Sequence, residues 1–188
     1  ATAAYSGTIT VYNTTTGCSG STPFTATITY PIVESFSNQT FCATTFTTPT
    51  AYNTVNFSLV EKTATDFDAS QTNATIIITI PTGFQFRAGT GTIASNGVGA
   101  QDISVNSSTI TTTSITVNVS TAATQVNIDE INFTGIQIRA TAAPSSGDVV
   151  RLGGTFKSNG STSIPSSSSS DSFGHLATSS PSVYNSSS

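Results

Sequence analysis

The sequence predicts an all-β protein, an antiparallel β-sandwich of the Ig-like or jelly-roll type with very little helix. Ser and Thr together make up about 36% of the chain, while charged residues make up only 7% against about 25% in ordinary globular proteins. Thr favours strands, and the Lys and Glu that usually cover helix surfaces are scarce. Short alternating segments are separated by Gly, Asn and Pro turns, which is typical of antiparallel sandwiches.

The first elements alternate clearly. Residues 5–12 place Ile9 and Val11 on one side of a strand and Thr on the other. Residues 24–30 align alternate apolar side chains until Pro31 ends the segment. A further strand is expected over residues 40–48, which include Cys42.

The middle of the chain predicts a central strand. Val55, Phe57 and Leu59 form an apolar stripe, and residues 75–80 are apolar on both faces, so we expect this second strand to be covered on each side. Residues 81–83 form a turn, and an apolar face resumes at residues 84–86.

The second half continues the same pattern. We expect strands over residues 103–113, 115–120, 126–138 and 148–156, and the third of these includes Val126 and Ile128 among its apolar positions. No segment shows a sustained 3.6-residue period.

Three regions follow from composition. Residues 1–52 form an N-terminal segment, residues 53–157 the sandwich core, and residues 158–188 a Ser-rich tail. Phe173, Leu176 and Tyr184 interrupt the tail's polar texture. Two alternatives therefore stay open for it, a free tail and a strand that pairs with a sheet edge.

Charge and hydropathy exclude several kinds of partner. The five basic residues are scattered and the net charge is −4, so a nucleic-acid partner is not expected. The longest apolar stretch is far shorter than the roughly 20 residues of a membrane-spanning helix. The chain has no Met and begins at Ala1, which we interpret as removal of a signal peptide and hence an extracellular or cell-surface location.

Two cysteines, Cys18 and Cys42, are expected to form a disulfide in an exported chain. Closing this loop of about 25 residues would stabilise the fold by roughly 3 kcal/mol. The alternative is a pair of buried free thiols. No CxxC spacing accompanies them, so a Cys/His metal site is not expected.

Three segments carry a family resemblance: ATIIITIPTGFQF at residues 74–86, GTGTI at 89–93 and IQIRATAAPSSGD at 136–148. Across about residues 55–155 the chain resembles the β-sandwich repeat domain of large secreted, adhesin-like surface proteins of Bacteroidota. The resemblance implies cell-surface adhesion or scaffolding and supplies no catalytic residues. Here one such domain stands alone between extensions, which we interpret as a subunit that polymerises without tandem covalent linkage.

Asparagine occurs mainly in the N-x-[S/T] pattern of glycosylation acceptors. The alternative is that Thr-rich strands contain Asn by coincidence. The nine candidate positions are Asn13, Asn38, Asn56, Asn73, Asn106, Asn118, Asn132, Asn159 and Asn185.

Candidate catalytic and metal-binding groups are few. Asp66 and Asp68 have the D-x-D spacing of a weak candidate cation site that could hold Ca²⁺, although such carboxylates are more often plain surface. A serine triad would require His175, which lies in the Ser-rich tail. We therefore expect no catalytic residues, no resident cofactor and no enzymatic activity, and a secreted hydrolase is the third hypothesis.

The N-terminus predicts a mode of assembly. Residues 3–13 are terminal and alternating, so they could be donated to a neighbour's sheet, with Tyr5, Ile9 and Val11 as contacts. An ordinary first strand is the alternative, and an exchanged strand at the C-terminus also stays open. The leading hypothesis is a subunit of a pilus-like extracellular filament, self-associated head to tail. The alternative is a monomeric adhesive module that binds surface glycans through exposed tyrosines, namely Tyr5, Tyr12, Tyr52 and Tyr184.

Overall fold

The structure is a computed structural model that describes residues 2–12, 19–29, 32–34, 36–42, 52–97, 100–160 and 172–179. These residues contain thirteen β-strands and no helix. The strands are β1 Thr2–Tyr12, β2 Ser19–Thr29, β3 Ile32–Glu34, β4 Gln39–Cys42, β5 Asn53–Val60, β6 Ala74–Thr79, β7 Phe84–Phe86, β8 Thr92–Gly97, β9 Ile103–Ile110, β10 Ser114–Thr121, β11 Asp129–Ala140, β12 Ser146–Gly153 and β13 Ser172–Ser179.

Two sheets form the sandwich. One has the strand order β4-β13-β12-β6-β10-β9, and the other has the order β3-β5-β11-β7, with β8 also paired to β11. All pairs are antiparallel except β13 with β4, which is parallel. The predicted all-β sandwich class is confirmed.

The alternation of the sequence determines which face of each strand is buried. Strand β10 alternates without a break, and Ile115, Val117 and Val119 are completely buried. Strand β6 is central as expected, between β12 and β10. Its second face, however, is only half-buried at Ile77. The expectation that this strand is covered on both sides was therefore wrong, because the described part of the chain fully covers the face that carries Ile76 and Ile78 but not the face of Ile77.

A phenylalanine cluster fills the middle of the core. The rings of Phe57 and Phe133 stack with their centroids 4.6 Å apart, and Phe173 lies 5.0 Å from Phe57. Phe36 adds a tilted contact to Phe57 at 5.9 Å. Two of these four rings lie outside residues 53–157, so segments on either side of that region also build the core.

Of the two alternatives for the Ser-rich tail, residues 172–179 form a paired strand, β13, and not a free tail. It pairs with β12 on one side and with β4 on the other, and it buries Phe173 and Leu176. Tyr184 lies outside the described residues.

One predicted strand begins later than expected. Val126 and Ile128 were assigned to a strand, but they lie in the loop before β11 and are 67% and 48% exposed. The Asp102 carboxylate accepts hydrogen bonds from the backbone N–H groups of Val126 and Asn127 at 2.6 and 2.8 Å. If β11 began earlier, these two N–H groups would have to pair with a neighbouring strand. They donate to the Asp102 carboxylate instead, and β11 starts at Asp129.

Candidate functional site

The N-terminal hairpin is the first candidate surface. Strands β1 and β2 are each 11 residues long and pair along their whole length as a two-stranded sheet of their own. The predicted donor positions Tyr5, Ile9 and Val11 are aligned with Ala26, Thr22 and Gly20 of β2. In this structure β1 therefore has a partner within its own chain, and donation to a neighbour stays a prediction.

The register sorts the positions of this hairpin into two alternating sets. One set contains Tyr5, Ile9 and Val11 of β1, and it is paired with the β2 positions that include Phe24 and Ile28. Nine of the twelve positions in the other set are Ser or Thr, and the remaining three are Ala4, Tyr12 and Pro23.

The second candidate is the pair of acids Asp66 and Asp68. Asp66 is 1% exposed, and its carboxylate accepts hydrogen bonds from the backbone N–H groups of Lys62 and Thr63 at 2.7 and 3.0 Å. The Asp68 carboxylate accepts from Gly160 N at 2.9 Å. These contacts organise the loop after β5. Among the described residues no group of three or more His, Cys, Asp or Glu side chains is placed to hold a metal ion.

Three acidic residues linked by hydrogen bonds, Glu61, Asp129 and Asp102, lie beside this loop. Glu61 is 2% exposed and accepts hydrogen bonds from the backbone N–H of Phe67 at 2.7 Å and of Asp129 at 3.0 Å. Burial raises the pKa of Glu61 to about 7, although the two N–H donors lower it. Burial also raises the pKa of Asp129, and the N–H groups of Val126 and Asn127 lower the pKa of Asp102. Sequence analysis did not identify these linked acidic residues, because no local pattern around Glu61 indicates that its side chain is buried.

A polar platform centred on Tyr52 is the third candidate. The guanidinium carbons of Arg87 and Arg139 lie 5.5 and 5.3 Å from the centre of the Tyr52 ring, within cation–π range. Arg87 Nη1 donates to Gln137 Oε1 at 3.0 Å. With its amide oxygen turned toward Arg139, Gln85 accepts from Arg139 Nε at 2.7 Å. Two of the chain's five basic residues and one tyrosine therefore share the outer face of the β5-β11-β7 sheet.

Beside the platform's strands lies a shallow groove of about 240 Å³. Strands β5 and β11 line it with residues that include Asn56, Ser58, Glu130 and Asn132. Asn56 Oδ1 accepts from the backbone N–H of Gly135 at 2.7 Å. Two candidate glycosylation positions therefore border one groove.

The candidate glycosylation positions are distributed over several strands and loops. Five are exposed: Asn38, Asn56, Asn73, Asn106 and Asn159. Asn118 and Asn132 are half-buried, and Asn13 and Asn185 lie outside the described residues. Cys18 and the Cys42 side chain also lie outside them, so the disulfide stays a prediction.

Strands β12 and β13 bring together a fourth set. Asp148 Oδ1 lies 2.6 Å from His175 Nδ1, and Ser146 Oγ lies 3.1 Å from His175 Nε2. Sequence analysis named His175 but placed it in the tail and did not connect it with Asp148 or Ser146. The pairing of β12 with β13, across more than twenty residues, was not visible in any local pattern.

Comparisons with protein-family models, with curated proteins and with solved structures found no match to this chain. Within the part of the chain that the structure describes, no helix has the length and apolar character needed to cross a membrane.

Proposed function

We propose that this chain is a structural subunit of an extracellular, pilus-like filament, and that its N-terminal hairpin mediates assembly between copies. The observation that carries the proposal is the separate β1–β2 sheet. A sheet of only two strands is marginally stable in water and gains stability when its apolar face or its edge is covered. A strand edge of a second copy supplies such a cover.

The acceptor in this proposal is β9, which ends the six-stranded sheet. Edge strands usually carry a Pro, a Lys or some other charged side chain, and each of these prevents pairing with other chains. Strand β9 has the sequence ISVNSSTI, with neither a charge nor a proline. Its eight residues are long enough to pair with most of β1.

Such a contact joins two different surfaces, the hairpin of one copy and the β9 edge of the next. A heterologous contact of this kind continues without closing unless its rotation forms a ring, so the expected assembly is a head-to-tail fibre. The low charge of the chain and its nine N-x-[S/T] positions support a place on the outside of the cell.

Electron microscopy of the purified chain tests the proposal. Replacing both Ile9 and Val11 by Asp introduces charge at two apolar positions of β1, and we expect fibres to disappear. The matched control replaces Thr8 and Thr10 by Asp, which adds the same charge at two polar positions of the same strand. Fibres that survive the Ile9 and Val11 substitutions, or a wild-type chain that stays monomeric at high concentration, would contradict the proposal.

A second candidate function is glycan binding, and the Tyr52 platform favours it. An aromatic ring flanked by guanidinium and amide groups combines a stacking surface with directional donors, which suits a sugar ring. Retention on glycan columns should be lost in Tyr52→Ala and kept in Tyr52→Phe, because Phe preserves the ring. Equal retention of both variants would exclude Tyr52 as the binding residue.

A further inference from the structure

We propose that Ser146 is an activated nucleophile for acyl transfer, with His175 as its general base and Asp148 as the group that orients His175. This activity goes beyond a structural or adhesive role. Ser146 Oγ, the two ring nitrogens of His175 and Asp148 Oδ1 form one continuous chain of hydrogen bonds, with distances of 3.1 and 2.6 Å. The order Ser–Nε2–imidazole–Nδ1–Asp is that of a Ser-His-Asp triad, in which the histidine activates the serine.

The strand register produces this alignment. Asp148 is directly opposite His175 in the antiparallel pair β12–β13, so their side chains share a face. Ser146 lies two residues earlier on β12, on the same face and within diagonal reach of the imidazole. The 2.6 Å contact to a carboxylate places the ring proton on Nδ1. Nε2 is then the acceptor for the hydroxyl proton of Ser146.

The surrounding contacts hold the three side chains in place. Thr178 N donates to Ser145 O at 2.9 Å, and Ser145 N donates to Thr178 Oγ1 at 2.8 Å, which fixes the start of β12 against β13. On the opposite face of β13, Phe173 and Leu176 are completely buried in the core. A base on a strand anchored in this way keeps its geometry better than one on a loop.

The accessibility of the site indicates the class of substrate. The side chains of His175 and Asp148 are 42% and 47% exposed, and Ser146 is exposed as well. An open sheet face can receive a small acyl group that projects from a larger molecule. The chemistry therefore fits a simple carboxylic ester, such as an acetyl group carried on a polysaccharide.

The reaction proceeds in two balanced steps. Ser146 Oγ attacks the ester carbonyl carbon while His175 Nε2 takes the hydroxyl proton; the bond to the alcohol oxygen breaks, and the alcohol leaves with that proton. Water then attacks the acyl-serine with His175 again as the base. The carboxylic acid is released and the Ser146 hydroxyl is restored.

Two measurements on the full chain test the proposal: labelling by a fluorophosphonate probe and hydrolysis of an aryl acetate. We expect the label on the peptide that contains Ser146, and a fall in the hydrolysis rate of about a hundredfold or more in Ser146→Ala. His175→Gln should lose labelling while Ser146 is still present, which distinguishes activation of the serine from its mere presence.

The matched control is Ser107→Ala, because Ser107 is an exposed strand serine whose Oγ accepts a hydrogen bond from Asn118 and whose hydroxyl has no histidine to receive its proton. It should react like the wild type. Labelling spread evenly over many serines, or equal hydrolysis by the Ser146 and Ser107 variants, would show that the three side chains only tie β12 to β13. Circular dichroism of each variant confirms that the fold is kept.

Discussion

Glu61 and Asp129 are joined by two hydrogen bonds that run in opposite directions. The backbone N–H of Glu61 donates to the backbone carbonyl of Asp129 at 2.9 Å, and the backbone N–H of Asp129 donates to Glu61 Oε2 at 3.0 Å. Asp102 N adds a bond of 3.1 Å to the Asp129 carboxylate. The end of β5, the start of β11 and the loop before β9 therefore meet at one buried point.

The first prediction concerns the pH dependence of stability at Glu61. Its folded pKa of about 7 lies above its ordinary value of 4.5, so the folded state binds the proton more tightly than the unfolded chain. The stabilisation is complete below about pH 4.5 and is lost as the pH rises through 7, by at most about 3 kcal/mol. Urea unfolding from pH 5 to pH 8 should show this fall, and Glu61→Gln should remove most of it.

The same substitution makes a second, separable change. The side-chain NH₂ of Gln cannot accept a hydrogen bond, so one of the two backbone N–H donors loses its acceptor in Glu61→Gln. The free energy of unfolding of this variant at pH 5 should therefore be lower than that of the wild type by about 1–3 kcal/mol. That gap should narrow toward pH 8. Glu130→Gln is the control. It makes the same change from carboxylate to amide at the residue that follows Asp129, without altering the Glu61 side chain. A wild-type profile with the same pH dependence as Glu61→Gln would show that Glu61 is ionised throughout this range.

The second prediction concerns Asp66. Replacing it by Ala leaves the N–H groups of Lys62 and Thr63 without the carboxylate that they bond to, and we expect a loss of about 2–4 kcal/mol in the free energy of unfolding. Asp68→Ala should cost less, about 1 kcal/mol, because Asp68 is less buried. Urea titration measures both. A stabilisation by added Ca²⁺ that both variants abolish would instead favour the cation site predicted from the D-x-D spacing.

The alternation of apolar and hydroxyl residues was sufficient to predict the fold class and much of the core. Period-two alternation correctly placed Ile115, Val117 and Val119 on the buried face of β10. It could not show that Phe173 belongs to the same core as Phe57, because no local pattern reports which distant strands pair.

The candidate sites were harder to predict for the same reason. Ser146 and His175 lie on strands separated by a Ser-rich segment, and only the register of β12 with β13 brings them together. The D-x-D spacing marked Asp66 as a weak cation candidate that is more often plain surface, yet Asp66 is 1% exposed. In the structure, backbone N–H groups donate to its carboxylate, a role that depends on the path of a loop.

The third prediction concerns glycosylation in the native protein. Sugar is attached to the side-chain nitrogen of Asn, which must be accessible. Asn38 is exposed, whereas Asn118 is half-buried and its nitrogen donates to Ser107 Oγ at 2.8 Å. Glycopeptide mass spectrometry should therefore find high occupancy at Asn38 and low occupancy at Asn118. Equal occupancy at both would show that folding does not control attachment, and a chain without sugar at any position would contradict the predicted glycoprotein.

The fourth prediction tests whether β13 is part of the stable core. Phe173 is 1% exposed and packs against Phe57 and Phe133. Phe173→Ala leaves a cavity among these rings and should lower the free energy of unfolding by about 3–5 kcal/mol. Leu152→Ala is the matched control, because Leu152 lies on β12 but is 75% exposed, and it should change stability by less than about 0.5 kcal/mol. If both variants unfold at the same urea concentration, β13 does not contribute to the cooperative core, and the alignment of His175 with Ser146 would then lose its anchor.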